Sequence, residues 1–559
     1  MMKMPRLDGQ PVNLFPTRAG LLATLSGVCL ALLWAATTLL PIHMPPFYFW
    51  LQDVLAAVFA LGVLAPLLHS QTLRPSARLL VIPVGLVLLA VLSLPRGHLG
   101  ATLLFCGALL WASALYAAAQ PVRARIMDWL AGALVVSAVL GALIGLRQVV
   151  AWHAPFAVGA LAQRNLYADA QTLGLIVILF LPVARTWRGA LAALVALSIA
   201  ASGSAAAILY AVWLLAFGAW HRSKRLAVGG LGLLGVILLW RLASHSLGHA
   251  SHTPSASLFV ALWRPALAEI AHHPLGLGLG QTVQFYYHLA ARLPDTPAFA
   301  ALHTEVFAST HNFFLQAGLN FGLPGMVLIF CLLVVFLRRA RQPEHLLPSA
   351  LLGVLWLHSM VEFPLWQMGF LGLFAVLYGA TTPALPRCSR RQMGSLPLVV
   401  IGFSALGLAL LVGLAVQMRD IDAAFVPAKS PLADARNTAA LQAWAAGHSP
   451  SALALRDMNA LALARKSPLL IVVPTTWPAE KRILDRAFSC YPMGSIPLER
   501  ATVWALTKSA PPAQLDRLAH AAICARPDDA RKFDPVLRRF AARLPRLAPV
   551  VAAWASPCS

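Results

Sequence analysis

Apolar residues fall along this chain in long, nearly unbroken runs, not in the spaced stripe of a helix covering a water-soluble core. Thirteen runs, at about residues 19–40, 48–68, 79–94, 101–119, 128–150, 167–184, 190–202, 205–220, 226–242, 312–337, 347–362, 365–382 and 396–417, could cross a hydrocarbon layer roughly 30 Å thick. Each predicts a helix, because only a helix or a closed barrel satisfies its own backbone groups in lipid. The 190–202 run is short and could form one irregular hairpin with its neighbour. The first run is too long for a signal-peptide core and lacks a small-residue cleavage site, so it is expected to be a retained helix.

The pattern changes near Arg419. From there on the chain carries eleven Asp and Glu and nineteen Lys and Arg, against nine acids in everything before it. Short Ala- and Leu-rich amphipathic stretches, such as Thr438 to Ala446 and Pro512 to Ala525, alternate with Pro- and Gly-containing breaks. The expected fold is therefore all-α. A polytopic membrane domain of about 13 transmembrane helices over residues 1–417, with a long loop over 243–311, precedes a small soluble helical domain over 418–559. No convincing repeat with a period near 34 residues is present in the tail.

Basic residues set the expected orientation. Arg18, Arg74 and Arg78, Arg123 and Arg125, Arg185 and Arg188, Arg222 and Arg225, Arg338 to Arg341, and Arg387 to Arg391 fall in alternate loops, the pattern of a cytoplasmic face. An odd number of crossings then puts the 243–311 loop and the tail outside.

Composition sharpens this picture. With 59% hydrophobic and 11% charged residues, the chain is too apolar for a water-soluble globule. The net charge of +23 points to loops and anionic headgroups; nucleic acid is not an expected partner, whereas membrane lipids are. Seven cysteines without CxxC spacing indicate neither zinc nor a redox pair. Cys490, Cys524 and Cys558 lie in the tail, where an oxidising compartment favours a bridge; Cys490 with Cys524 is the expected pair.

Four polar stretches carry candidate chemistry. Gln163-Arg164-Asn165 opens an apolar helix, where a guanidinium and free backbone N–H groups suit an anion; a snorkelling arginine would look the same. Trp263-Arg264-Pro265 precedes a glycine-rich stretch from Gly276 to Gln281, whose glycines could approach phosphates or simply permit tight turns. His311-Asn312 opens another helix, and an imidazole titrating near neutrality suits a general base, or a helix-end residue. His358 to Trp366 adds Glu362, an acid in a membrane helix end, which marks either a functional site or an ion pair.

Together these stretches resemble the O-antigen ligase and bacterial O-linked oligosaccharyltransferase superfamily. His311-Asn312 followed by Gly322-Leu323-Pro324-Gly325 matches its ligase motif, and Trp263 to Gln281 is similar to a segment of its long loop. Gln163-Arg164-Asn165-Leu166-Tyr167-Ala168 and His358-Ser359-Met360-Val361-Glu362-Phe363-Pro364-Leu365-Trp366 look like signatures of the protein-glycosylating branch. Two positions depart from it: Ala205 follows Ser202-Gly203-Ser204 where members often carry arginine, and Gln367 stands where tyrosine is common.

The resemblance implies a glycosyltransferase of the bacterial inner membrane. Its donor would be a glycan on a polyprenyl (undecaprenyl) pyrophosphate, and its acceptor a Ser or Thr hydroxyl of a periplasmic, pilin-like protein. O-antigen ligation to lipid A core, or O-antigen polymerisation, is the alternative. His311 is the expected catalytic base, with Asn312 orienting it or the substrate. Arg164 and Arg264, then Arg292, are expected on the pyrophosphate, with Gln163, Asn165, Glu362 and Gln281 completing the substrate-binding set. No acidic cluster accompanies His311, so neither metal nor cofactor is expected.

Overall fold

A computed structural model describes residues 18–41, 50–65, 77–120, 122–246, 256–293, 307–382, 396–426, 430–466, 477–490, 492, 496–525, 527–555 and 558. Among these residues there is no strand. Helices α1 (Arg18–Leu39), α2 (Trp50–Val63), α3 (Ala77–Leu92), α4 (Leu99–Ala119), α5 (Arg123–Ala151), α6 (Arg164–Phe180), α7 (Arg185–Ala201), α8 (Ala206–Trp220) and α9 (Lys224–Ser246) come first. Then follow α10 (Ala256–His272), α11 (Thr282–Ala290), α12 (Phe313–Ala340), α13 (Leu346–Ser359), α14 (Met368–Ala380) and α15 (Leu396–Ala423).

All of these except α10 and α11 coincide with the thirteen apolar runs, the short 190–202 run included as the separate helix α7. Among the described residues six spans, Gly20–Leu39, Leu99–Ala119, Arg123–Ala151, Lys224–Ser244, Phe313–Ala340 and Val400–Ala423, are long and apolar enough to cross a membrane. Large apolar side chains point away from the protein, with Leu239 69% and Leu406 70% exposed, as a lipid-facing surface requires. The chain is a polytopic, all-α membrane protein.

It forms two compact units. The first comprises Met1–Gly85, Gly107–Thr253 and Leu328–Leu411. Its centre is α6, buried at every position from Leu166 to Ile178. Helix α5 packs against it through small residues, Ala138 against Gly174 and Gly141 and Gly145 against Tyr167, which let helix axes approach where no hydrophobic effect drives them together. The slot so formed takes Tyr167, whose hydroxyl donates to the Gly141 carbonyl at 2.9 Å. Polar side chains tie other helices: the Trp34 indole donates to Ser137 Oγ at 2.8 Å, and Asp53 Oδ1 accepts the Met368 N–H opening α14 at 2.8 Å.

The second unit comprises Leu86–Cys106, Pro254–Val327 and Val412–Ser559. Its tail adds α16 (Pro431–Ala446), α17 (Pro450–Ala454), α18 (Arg456–Lys466), α19 (Trp477–Cys490), α20 (Ile496–Leu506), α21 (Pro512–Ala525), α22 (Pro527–Ala541) and α23 (Ala548–Ala552). Proline follows a serine N-cap in α16 and α17, where Ser430 and Ser449 accept from Ala433 and Ala452. Leu498, Leu506, Leu515, Phe533, Leu537 and Leu547 form the tail's own core. A second cluster joins Tyr286 and Tyr287 of α11 to Phe488 and Ala525, so the tail packs on a helix of the long loop.

The expected Cys490–Cys524 bridge is corrected: Cys524 pairs with Cys558, with Cα atoms 5.4 Å apart. The reason is packing. Helix α21 lies against α23 and the 3-10 turn Ala553–Ala555, which returns the chain end to the last turn of α21.

Candidate active site

In the first unit, the sequence from Gln163 to Asp169 meets the sequence from His358 to Glu362. Gln163 is the N-cap of α6, its side-chain oxygen accepting the Leu166 N–H, while its amide donates to Glu362 Oε2 at 3.3 Å. The Asn165 amide donates to the same carboxylate oxygen at 2.5 Å, and Asn165 Oδ1 accepts from Ser204 Oγ at 2.8 Å. Arg164 lies with its guanidinium 5.0 Å from the Phe156 ring centroid and is attracted by Glu362. Three residues expected at a substrate site thus converge on Glu362, and Ser204 holds one of them, Asn165.

One turn deeper on α6, Asp169 and His358 are fully buried, with Oδ2 and Nδ1 2.9 Å apart. Tyr210 packs edge-on to His358 at 6.1 Å between ring centroids. The Val361 and Glu362 N–H groups both donate to the His358 carbonyl, at 3.0 and 2.8 Å, so a fixed His358 fixes the turn that presents Glu362. Sequence reasoning missed Asp169 and Tyr210. A carboxylate in the middle of an apolar helix was the available signal.

Of the two departures from the branch pattern, Ala205 is exposed just before α8, and Gln367 is buried as the residue preceding α14.

In the second unit, His311 has φ 52°, a left-handed conformation uncommon for a residue with a side chain and typical of sites where geometry is over-determined. The segment around it is pinned on both sides. The Trp263 indole of α10 donates to the Thr310 carbonyl at 2.8 Å, and the Thr310 N–H donates to Gln316 Oε1 at 3.0 Å. The Gln316 amide in turn donates to Thr282 Oγ1, at the start of α11, at 2.8 Å. Asn312 Oδ1 accepts the Leu315 N–H at 3.1 Å, so its side chain caps α12. Phe307 stands edge-on to the His311 ring at 5.9 Å. Gln316 and Thr310 went unrecognised, although a buried glutamine one turn into a helix signals a hydrogen-bonding duty.

The glycine-rich stretch braces α12. Leu277 and Gly278 N–H groups donate to the Leu319 and Asn320 carbonyls at 2.7 and 3.1 Å, and Leu323 N–H donates to the Pro274 carbonyl at 2.9 Å. Helix α12 kinks at Gly322, where φ is 68° and a Cβ would overlap the Pro274 carbonyl. The Gln281 amide donates to the Arg96 carbonyl at 2.9 Å, and Arg96 Nη1 to the Gly276 carbonyl at 3.0 Å. Of the tight-turn and phosphate-approach readings, these contacts realise the first.

Arg264 follows the anchored Trp263 and is exposed, as is Arg292. Partial desolvation, with Arg292 and Arg500 nearby, holds the His288 imidazole below its ordinary value although the residue keeps an exposed edge. Of the other outer-loop histidines, His273 lies 3.3 Å from Glu269, and His303 falls outside the described residues. A titratable imidazole on a pinned turn, near solvent and beside a chain segment carrying an exposed guanidinium, can accept a proton from a hydroxyl next to an anionic leaving group.

Residues 172–330 match the O-antigen ligase family, and residues 346–461 match the family described as virulence factor membrane-bound polymerase, C-terminal. His311, Arg264, Arg292 and Gln281 fall within the first match, and His358 and Glu362 within the second. No curated protein matches the chain. The two matches support the O-antigen ligase superfamily that the motifs resemble.

Proposed function

We propose that this protein transfers a glycan from a polyprenyl-pyrophosphate donor to Ser or Thr hydroxyls of an acceptor protein at the outer face of a bacterial inner membrane. The observation that carries the reading is the meeting of two signature segments far apart in sequence. Asn165 and Gln163 bind Glu362, and Asp169 binds His358, so both segments of the protein-glycosylating signature belong to one hydrogen-bonded cluster.

In the proposed reaction His311 takes the acceptor's hydroxyl proton as the oxygen attacks the anomeric carbon. The bond from that carbon to the pyrophosphate oxygen breaks, and its electron pair leaves with the pyrophosphate. That leaving group is weakly basic and needs electrostatic stabilisation more than a proton. Arg164, Arg264 and Arg292 are assigned to this charge, with Gln163, Asn165, Glu362 and Gln281 keeping the substrate-binding parts read from the motifs. Asn312 holds the turn carrying His311 by capping α12. Neither a metal nor a cofactor has a part in the scheme.

The orientation is proposed from the basic loops. Alkaline phosphatase fused after Ser559 is expected to be active and a fusion near Arg339 inactive; the reverse pattern would overturn it. A second reading, ligation to lipid A core or polymerisation of glycan units, is favoured by the descriptions of the two matched families. Mass spectrometry of periplasmic proteins with and without the gene separates them. Glycopeptides that vanish with the gene support protein transfer, and unchanged proteins with shortened lipopolysaccharide support the second reading.

A further inference from the structure

The tail carries a cationic cleft to which no part of the proposed reaction assigns a role. Arg456 opens α18 and Arg486 lies on α19; with Asp457 and the Gly97-His98-Leu99-Gly100 segment they line a cleft of about 200 Å³ within the second unit. Two glycines permit the approach. A Cβ on Gly100 would stand 2.5 Å from the Ala454 carbonyl oxygen, and one on Gly97 would stand 2.8 Å from the Leu279 nitrogen.

The charges in the cleft are unbalanced. Asp457 is engaged by His98, with Oδ2 and Nδ1 3.1 Å apart. Arg456, Arg482 and Arg486 form no hydrogen bond or ion pair with a described residue. Other cations of the tail do find acids: Lys481 and Arg500 both sit on Asp485, at 3.2 and 2.7 Å. Burial, then the repulsion of Arg456 and Arg482, pushes the Arg486 guanidinium below its ordinary value, against the pull of Asp457. Like charges held together at a partly enclosed surface are a cost that a bound anion relieves.

Shape and charge narrow the ligand. The cleft is smaller than the roughly 300 Å³ at which pockets for drug-sized molecules begin, so it suits a compact group and not a sugar chain. Guanidinium forks match the oxygens of a phosphate, and two lining arginines with a third nearby suit a multiply charged phosphate better than a lone carboxylate. The cleft also adjoins the start of α4, a helix long and apolar enough to cross a membrane, so a spanning α4 would bring it to the level of lipid headgroups.

We propose that this cleft binds a phosphate-bearing anion through Arg456 and Arg486. Two sources share that chemistry, the headgroup of an anionic phospholipid and free pyrophosphate. The proposal does not depend on the glycan-transfer reading.

The test uses the purified full-length protein. Inorganic pyrophosphate is titrated by calorimetry in neutral detergent, and native mass spectrometry counts phosphatidylglycerol retained from mixed-lipid nanodiscs. Wild type is expected to bind one or both, the arm that responds identifying the source. Arg456→Gln with Arg486→Gln should weaken that binding by about 10- to 100-fold, the worth of charge-assisted hydrogen bonds. Arg456→Lys with Arg486→Lys keeps the charge, guards against misfolding and should retain part of it. Lys481→Gln, whose ammonium Asp485 already takes, should leave it unchanged. Binding of neither probe by wild type, equal binding by the double Gln variant, or an equal loss in Lys481→Gln would overturn the proposal.

Discussion

The two candidate regions are held together in opposite ways. Around Glu362 and His358 the contacts that join distant segments run between side chains, and partners such as Asp169 and His358 are buried completely. Around His311 much of the holding falls to backbone groups: Thr310, Leu277, Gly278 and Leu323 donate or accept through the main chain, and glycines supply the left-handed turns. The first arrangement suits lipid-embedded helices, whose backbones are already satisfied and leave only side chains to specify a neighbour. The second suits a surface loop, which must find partners for its own N–H and C=O groups while leaving two arginines at solvent and an imidazole half-buried.

The contrast predicts where each region breaks. Asp169→Ala leaves the buried His358 Nδ1 without its partner and should cost about 1–3 kcal/mol, seen as a fall in thermal midpoint and yield in detergent. An unchanged midpoint would mean that the buried pair does not organise the first unit. In the outer-loop region Gly322→Ala should cost at least about 1–3 kcal/mol through the forced left-handed backbone, with added loss from the Pro274 carbonyl. Gln281→Ala, which removes one hydrogen bond to the Arg96 carbonyl, should cost only about 0.5–1.5 kcal/mol. If Gln281→Ala were the more damaging of the two, backbone bracing would be the wrong account of this loop.

The smallest effect is a dependence on pH. His288 is exposed at its edge but partly desolvated beside Arg292 and Arg500, which holds it below its ordinary value, so the unfolded chain takes up a proton that the folded unit resists. Stability of the second unit should therefore fall as pH drops from about 6.5 towards the folded value. His288→Gln should flatten that slope in a pH series of thermal midpoints, and an unaltered slope would remove His288 as its source.

Much of the fold was legible in the sequence because a long unbroken apolar run favours a helix, which satisfies its own backbone groups. Thirteen described helices coincide with the thirteen apolar runs for that reason, while six described spans reach membrane-crossing length and apolarity. The site was legible as segments and not as contacts. Gln163-Arg164-Asn165 and Glu362 were marked out separately, but nothing local shows that Asn165 reaches Glu362, 197 positions away. Asp169 was hidden because its partner lies 189 positions along the chain, and the cleft at His98 because Asp457 is 359 positions distant. Gly322 shows the converse: the motif marks the residue, and the Pro274 carbonyl supplies the physical reason for it. The disulfide misled because parity and compartment say that a bridge forms, whereas the return of the chain end to α21 selects Cys558.

The central claim is that His311, on its pinned left-handed turn, is the base that activates an acceptor hydroxyl. The direct measurement is glycan transfer to an acceptor protein in membranes carrying wild type or His311→Ala at matched protein levels, with retention of the lipid-linked donor recorded in parallel. His311→Ala should keep the donor and lower transfer by about 10² to 10⁴, the usual contribution of a general base. Arg264→Ala should instead lose donor binding along with turnover, and Arg264→Lys should recover part of both. Near-normal transfer by His311→Ala would contradict the account and turn attention to His272, His273 and His303 as the base.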